Sequence, residues 1–436
     1  MQTLHMPYRR KELQGMLADS SARAVILTNT DKSSRTADVL PIRGKLQSLE
    51  HIIVVGPPVK TTVALAELQK TTANSNDVIP TTADDTYLLL YTSGTTAAPK
   101  GVPHINRSFL NNALLSAHEM QINSDGRVLS LAALTHLYGL FTLHMSLASG
   151  GVACLIPAFN PESFAKDLMA LSPSHIYAAP AHFAPFIARN LLKSEALDNT
   201  KLVCLSGAAV PVDLARDVDA LMRNGGVIQL WGMSELQAGT FGRLTDPPEK
   251  RFSTAGPAVP KTELRVIDES GQVLASGQEG TLQVRGPSLF RGYLNRPDET
   301  ARAFDDDGWF DTGDLAILDD DGFMSITGRI KELINRGGVK FNPIEVEEIL
   351  NKLAQIEQCA IISVADPDLG ERACLYVQLS PGTALTLDDV KAALDAAGMA
   401  KYKWPETLVI LDELPLTPTR KVMRGTLIKL ANNQED

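Results

Sequence analysis

The chain has 436 residues and carries 41 Lys and Arg against 51 Asp and Glu, a net charge of −10. With 44% hydrophobic and 21% charged residues it has a globular composition, which excludes a disordered tail, a collagen-like fibre and a disulfide miniprotein. At this length two or more cooperating units are expected. An acidic chain is a poor binder of nucleic acid or anionic membrane, so any phosphate must be held locally by loops and single cations.

The N-terminus, MQTLHMPYRRKEL, has charges but no apolar run and is not a secretory signal. Short apolar stretches ending in turn or small residues then predict strands: ARAVILT, HIIVVG, YLLLYT, RVLSLAAL, GVACLIP, HIYAAP, KLVCLSG and VIQLWG. Segments of helical spacing, such as PESFAKDLMALSP and PVDLARDVDALMRNGG, lie between several of them. This alternation predicts an α/β fold with a parallel sheet. The polar stretch at 68–85 reads as a surface loop or linker. Val128 to Pro161 contains no charged residue, but His136, Gly139, His144, Gly150, Gly151 and Pro157 interrupt it. A buried helix followed by a buried strand is expected there, not a membrane span.

After about Pro257 the pattern changes. TELRVIDESGQVL, GTLQVRG and LAILDDDGFMSITGR alternate and contain SG or DG turns, which predicts an antiparallel, barrel-like or hairpin segment. From near Arg329 a third pattern begins, with helices at PIEVEEILNKLA and LTLDDVKAALDAAG and strands at CAIISVAD, RACLYVQLS and ETLVILDEL. The expected organisation is a large N-terminal domain, 1–329, with parallel or mixed sheets, and a small α+β lid, 330–436. Cys154, Cys204, Cys359 and Cys374 are widely spaced and form no CxxC, so buried thiols in a reducing, cytoplasmic compartment are expected.

The strongest chemical signal is YTSGTTAAPKGV, Tyr91 to Val102. An apolar strand runs into Ser93, Gly94, Thr95 and Thr96, then Pro99, Lys100 and Gly101. Small residues let backbone N–H groups point at an anion, hydroxyls add donors and Lys100 adds a point charge. The spacing is not that of a P-loop NTPase, and an ordinary Ser/Thr-rich turn is the plain alternative. Four further motifs follow in order: LWGMSE (230–235), WFDTGDL (309–315), GRIKELINRGGVKFNPIEVEE (328–348) and LPLTPTRKVMRG (414–425).

These five ordered motifs resemble the adenylate-forming superfamily, which includes acyl- and aryl-CoA synthetases, luciferases and the adenylation domains of peptide synthetases. The resemblance covers essentially the whole chain, including RGPSLFRGYLNRPDETARAF, and is nearest to the stand-alone acyl-CoA ligases of the oxalyl-CoA synthetase branch. It implies an ATP-dependent acid–CoA ligase that forms an acyl-adenylate and then the thioester, with ATP, Mg²⁺, CoA and a carboxylic acid as partners. No nucleic acid and no membrane span are expected, and a homo-oligomer is open.

The resemblance also implies roles. Thr92, Ser93, Gly94, Thr95, Thr96 and Lys100 would hold phosphates, with Glu235 and Thr95 at Mg²⁺. Gly207, Ala208, Gly232 and Ser234 would line the nucleotide pocket, Trp231 would stack on adenine and Asp314 would accept the ribose hydroxyls. Arg329 would reach ribose or phosphate. Lys421 would be the catalytic lysine, and Gly337 and Gly338 would line a CoA path beyond a hinge near Lys331. His136 would contact the carboxylate or gate the acid pocket, with Ser206 on its wall. The plain alternatives are a helix-end acid for Glu235, a core residue for Trp231 and for His136, a junction salt bridge for Arg329 and a solvated side chain for Lys421.

Ala97 and Arg420 stand where the family usually has glycine. The family also carries a further N-terminal stretch, so open strand edges, exposed apolar surface and low stability are expected here. A carrier-protein ligase and a non-catalytic remnant are the competing readings.

Overall fold

The computed structural model describes residues 1–5, 8–31, 33–71, 79–92, 99–156, 159–189, 191–336, 339–366, 369–417 and 421–432. Strands β1 (Ala24–Thr30), β2 (Ser33–Ser34), β3 (His51–Val55) and β4 (Val63–Ala64) form a sheet in the order β2-β1-β3-β4. β1, β3 and β4 run parallel, and β2 is antiparallel to β1. Val25, Leu27 and Ile52 point inward onto Leu13 and Leu17 of the helix Arg10–Asp19.

β5 (Thr86–Thr92) and β6 (Lys100–Ile105) pair antiparallel with each other. YLLLYT therefore does not join the expected parallel sheet. A parallel crossover takes a dozen or more residues, and Thr92 and Lys100 are too close in sequence for one.

β7 (Arg127–Ser130), β8 (Val152–Cys154), β9 (His175–Ala178), β10 (Leu202–Ser206), β11 (Gly226–Met233) and β12 (Gln237–Phe241) form the central sheet, in the order β12-β11-β10-β9-β7-β8. All are parallel except the edge strand β12. β9 and β10 are buried at every residue, because both sheet faces are covered. Phe164–Leu171 and Val212–Leu221 cover one face, and Asn106–Glu119 and Leu137–Ala148 cover the other. The uncharged stretch thus resolves into β7, the helix Leu137–Ala148 and β8. Among the described residues no helix is long and apolar enough to cross a membrane.

β13 (Glu263–Ile267), β14 (Glu279–Arg285), β15 (Phe310–Leu318) and β16 (Met324–Arg329) make an antiparallel meander. Its turns are built by Asp268 and Asp319, whose Oδ1 atoms each accept backbone N–H groups two and four residues on. Among the described residues this sheet stays open and does not close into a barrel.

The smaller C-terminal domain holds β17 (Ile334–Arg336), β18 (Val339–Phe341), β19 (Ile356–Asp366), β20 (Gly370–Leu379) and β21 (Thr407–Leu411). The order is β18-β17-β20-β19, with β21 parallel to β20. Pro343–Leu350 and Leu387–Ala396 pack on one face and Arg424–Asn432 on the other, around cores of their own. All four cysteines are buried thiols.

Candidate active site

A cavity of about 2220 Å³ lies between the two domains. It sits outside the carboxyl ends of β10 and β11, where open α/β sheets place their ligands. Thr92, Lys100, His136, Ser206, Gly207, Gly232, Ser234, Glu235, Arg329 and Lys421 all line it. Ala208 is exposed immediately beyond Gly207. Gly207 leaves β10 at φ +89°, a left-handed conformation that favours glycine. Gly232 is required for a different reason: a Cβ there would overlap the carbonyl of Gln237 on β12.

The Ser234–Glu235 turn is held from behind. His104 is fully buried, and its Nε2 donates to the Ser234 carbonyl at 2.6 Å. A carbonyl only accepts, so the proton is on Nε2. Burial lowers the His104 pKa to about 4, which keeps the ring neutral near pH 7. Glu235 is 7% exposed, and its Oε1 accepts from the Tyr293 hydroxyl at 3.0 Å. Burial raises the Glu235 pKa, opposed by the Tyr293 hydrogen bond and by Arg329 and Lys100. Lys100 pairs with Glu299 at 2.5 Å and lies over the Tyr293 ring, 4.6 Å from its centroid.

Trp231 and Asp314 lie just behind the cavity wall, 8% and 3% exposed. The indole Nε1 donates to Asp314 Oδ2 at 2.9 Å, and Arg329 Nε reaches Oδ1 at 2.8 Å. In this structure Trp231 is a core residue and Arg329 an ion-pair partner. Thr312, Gly313 and Arg329 present the neighbouring surface to the cavity.

His136 is the N-cap of the helix Leu137–Ala148, its Nδ1 accepting from the Tyr138 N–H at 3.2 Å. The neutral ring therefore carries its proton on Nε2. Burial lowers its pKa to about 4, and His5 and Lys421 add to the effect. His5 comes from the N-terminal residues, which Thr3 and the α-amino group of Met1 stitch to Thr135 and Tyr87.

Lys421 is reached by solvent, yet it is flanked by both domains. Desolvation and then Arg329 lower its pKa, while Asp314 and Glu332 pull the other way. Its backbone is fixed by paired hydrogen bonds with Thr417.

Ser93, Gly94, Thr95, Thr96, Gly337 and Gly338 lie outside the described residues, as do Ala97 and Arg420. Sequence reasoning missed His5, His104, Tyr293 and Glu299. Tyr293 and Glu299 sit in RGYLNRPDETARAF, where only membership of a longer familiar stretch marks them.

The chain matches the AMP-binding enzyme family over residues 2–294 and the AMP-binding enzyme C-terminal domain over 345–421. It is 30% identical over 432 residues to the medium-chain fatty-acid–CoA ligase of Escherichia coli K12, covering 97% of this chain and 75% of that protein. It is also 30% identical over 438 residues to the salicyl-AMP ligase / salicyl-S-ArCP synthetase of Mycobacterium tuberculosis, again covering 97% and 75%. ATP-bound MatB from Rhodopseudomonas palustris matches with a TM-score of 0.88 at 27% identity, over 99% of this chain and 84% of that one. Apo MatB, at the same coverage, reaches a TM-score of only 0.71. The chain belongs to the AMP-binding enzyme family and is an adenylate-forming enzyme. Its relatives include CoA ligases and an enzyme that loads a carrier protein.

Proposed function

We propose that this protein is an ATP-dependent acid–CoA ligase, with a large domain of residues 1–329, a lid of residues 330–436 and a hinge at Lys331. The observation that carries the reading is the convergence of Lys421, Lys100, Glu235 and His136 on one cavity at the strand ends. A carboxylate oxygen attacks the α-phosphorus of ATP, and the bond to the bridging oxygen of pyrophosphate breaks. The thiol of CoA then attacks the acyl carbon. The C–O bond to AMP breaks, and the thiol proton is released.

The chain's own groups suit the first step. Lys421 brings a cation to the carboxylate and α-phosphate as charge redistributes between them. The neutral His136, its Nδ1 held by the Tyr138 N–H, would offer its Nε2–H to the carboxylate of the acid. Lys100, released from Glu299, would meet the outer phosphates together with Thr92 and the 93–96 hydroxyls. Asp314, held by Trp231 and Arg329, would receive the ribose hydroxyls. Glu235 fits a Mg²⁺ ligand, because its carboxyl lines the cavity with Oε1 held by Tyr293, and a bound cation would offset the burial that raises its pKa. A bound Mg²⁺ would supply charge neutralisation on the polyphosphate. In the second step the lid rotates about Lys331, and Gly337 and Gly338 would border the CoA path.

The M. tuberculosis relative favours a second reading, with a carrier protein as acceptor. Acid-dependent ATP–pyrophosphate exchange with acetate, octanoate, benzoate and salicylate, followed by a thioester assay with CoA, separates the two. Exchange plus acyl-CoA supports the ligase. Exchange without acyl-CoA favours the carrier reading. No exchange with any of the four acids counts against both readings.

A further inference from the structure

Asn342 occupies an unusual position at the domain junction. It is the N-cap of the lid helix Pro343–Leu350, its Oδ1 accepting from the Ile344 N–H at 3.0 Å. The other end of the same amide crosses the junction, where Nδ2 donates to the Thr327 carbonyl on β16. The two partners fix the amide's orientation, because an N–H requires the oxygen and a carbonyl requires the NH₂. The side chain is buried, and it fills the space that a Cβ on Gly328 would need, with Cγ 2.8 Å from that position. The hinge turn Ile330–Glu332 lies between the two sides of this contact. Rotation at the hinge must pull Asn342 away from Thr327 and Gly328.

Among the described residues one other polar contact crosses the junction, Lys340 to Glu269 at 3.1 Å. Its side chains are 57% and 93% exposed, and such surface pairs contribute little. The buried amide is the stronger tie, and a polar group buried at a movable junction loses its partner when the junction opens.

We propose that Asn342 is a positioning residue for the adenylation step. One amide caps the lid's first helix and docks the lid on Thr327–Gly328, in the pose that holds Lys421 in the cavity. This rests on the two-pose reading given above. Asn is suited to both tasks. Asp would cap the helix equally well but has no N–H to donate, and it would set a carboxylate against a carbonyl.

The test is Asn342→Asp, with Gly328→Ala from the opposite side, using the acid of the four that gives the fastest exchange in the wild type. With loss of one buried hydrogen bond, ATP–pyrophosphate exchange should fall ~10-fold, while the synthetic acyl-adenylate of that acid and CoA should give thioester within about twofold of wild type. The melting temperature of Asn342→Asp should stay within about 2 °C, because the cap is kept. Unchanged exchange, or equal losses in both half-reactions, overturns the proposal. If Asn342→Asp melts early, the split measured on Gly328→Ala decides by the same criteria. A wild type that exchanges pyrophosphate but makes no thioester removes the two-step reading alone. The docking role is then decided by exchange at unchanged melting temperature.

Discussion

Lys421 reaches the cavity from just before the helix Arg424–Asn432, and its ammonium is crowded by Arg329 and desolvated between the domains. Replacing it with alanine should slow acyl-adenylate formation by ~10²–10³-fold, the effect of losing one preorganised charged group. Thioester formation from synthetic acyl-adenylate should suffer less, and equal losses would remove the assigned role. His104 gives a stability prediction. Its folded pKa is about 4 against an ordinary 6.5, so between those values the unfolded chain binds the extra proton. Stability is therefore full above pH 6.5 and is lost as pH falls toward 4, by on the order of 3 kcal/mol from this residue. Denaturant titrations across that range should show a shallower acid slope for His104→Gln, whose amide still offers an N–H to Ser234. An unchanged slope would assign the acid loss to other groups. At this scale the sequence singled out Lys421, Lys100, Glu235 and His136, which line one cavity. It was silent about His104, Tyr293 and Glu299, because their roles depend on partners 130, 58 and 199 positions away in the chain.

The elements were legible where burial is extensive on both faces, since β9 and β10 are buried throughout and β11 over its first six residues, and all three are mostly apolar in sequence. β5 was legible as a strand but not in its pairing, because apolar text does not say which neighbour a strand takes. The proposed hinge is the element where a local change should have a distant effect. Lys331 lies in the short turn Ile330–Glu332 that joins β16 to β17. Lys331→Pro fixes φ there and should hold the lid in one pose. Pyrophosphate exchange should survive, and acyl-CoA formation should collapse. Wild-type rates in both assays would contradict rotation at this residue.

On the scale of the whole molecule, the N-terminal sheet has two unlike faces. Ile26 pairs in register with Ile53, and Ile53 with Val63, across three adjacent parallel strands. Ile26 and Val63 are 59% and 39% exposed, and Val55 beside them is 43% exposed. Parallel sheets are normally covered on both faces, and bare apolar patches drive association. The 436-residue protein should bind a hydrophobic dye and sediment as concentration-dependent oligomers, and Ile26→Thr with Val55→Thr should reduce both. A monodisperse monomer that leaves the dye dark would refute this.

The class of enzyme and the order of the two domains are legible in the sequence through its five ordered motifs, and so are ten of the residues that line the cavity, because a motif is a local property of the chain. Three features needed the tertiary structure. Trp231 faces the core and Asp314, since its side-chain direction depends on a strand 83 residues away. Lys100 is paired with Glu299, another residue of the cavity lining. The lid is docked through Asn342 on Thr327, a contact between domains that share no sequence pattern. Each depends on which surfaces meet when separate cores pack, and no periodicity or motif along one chain encodes that meeting.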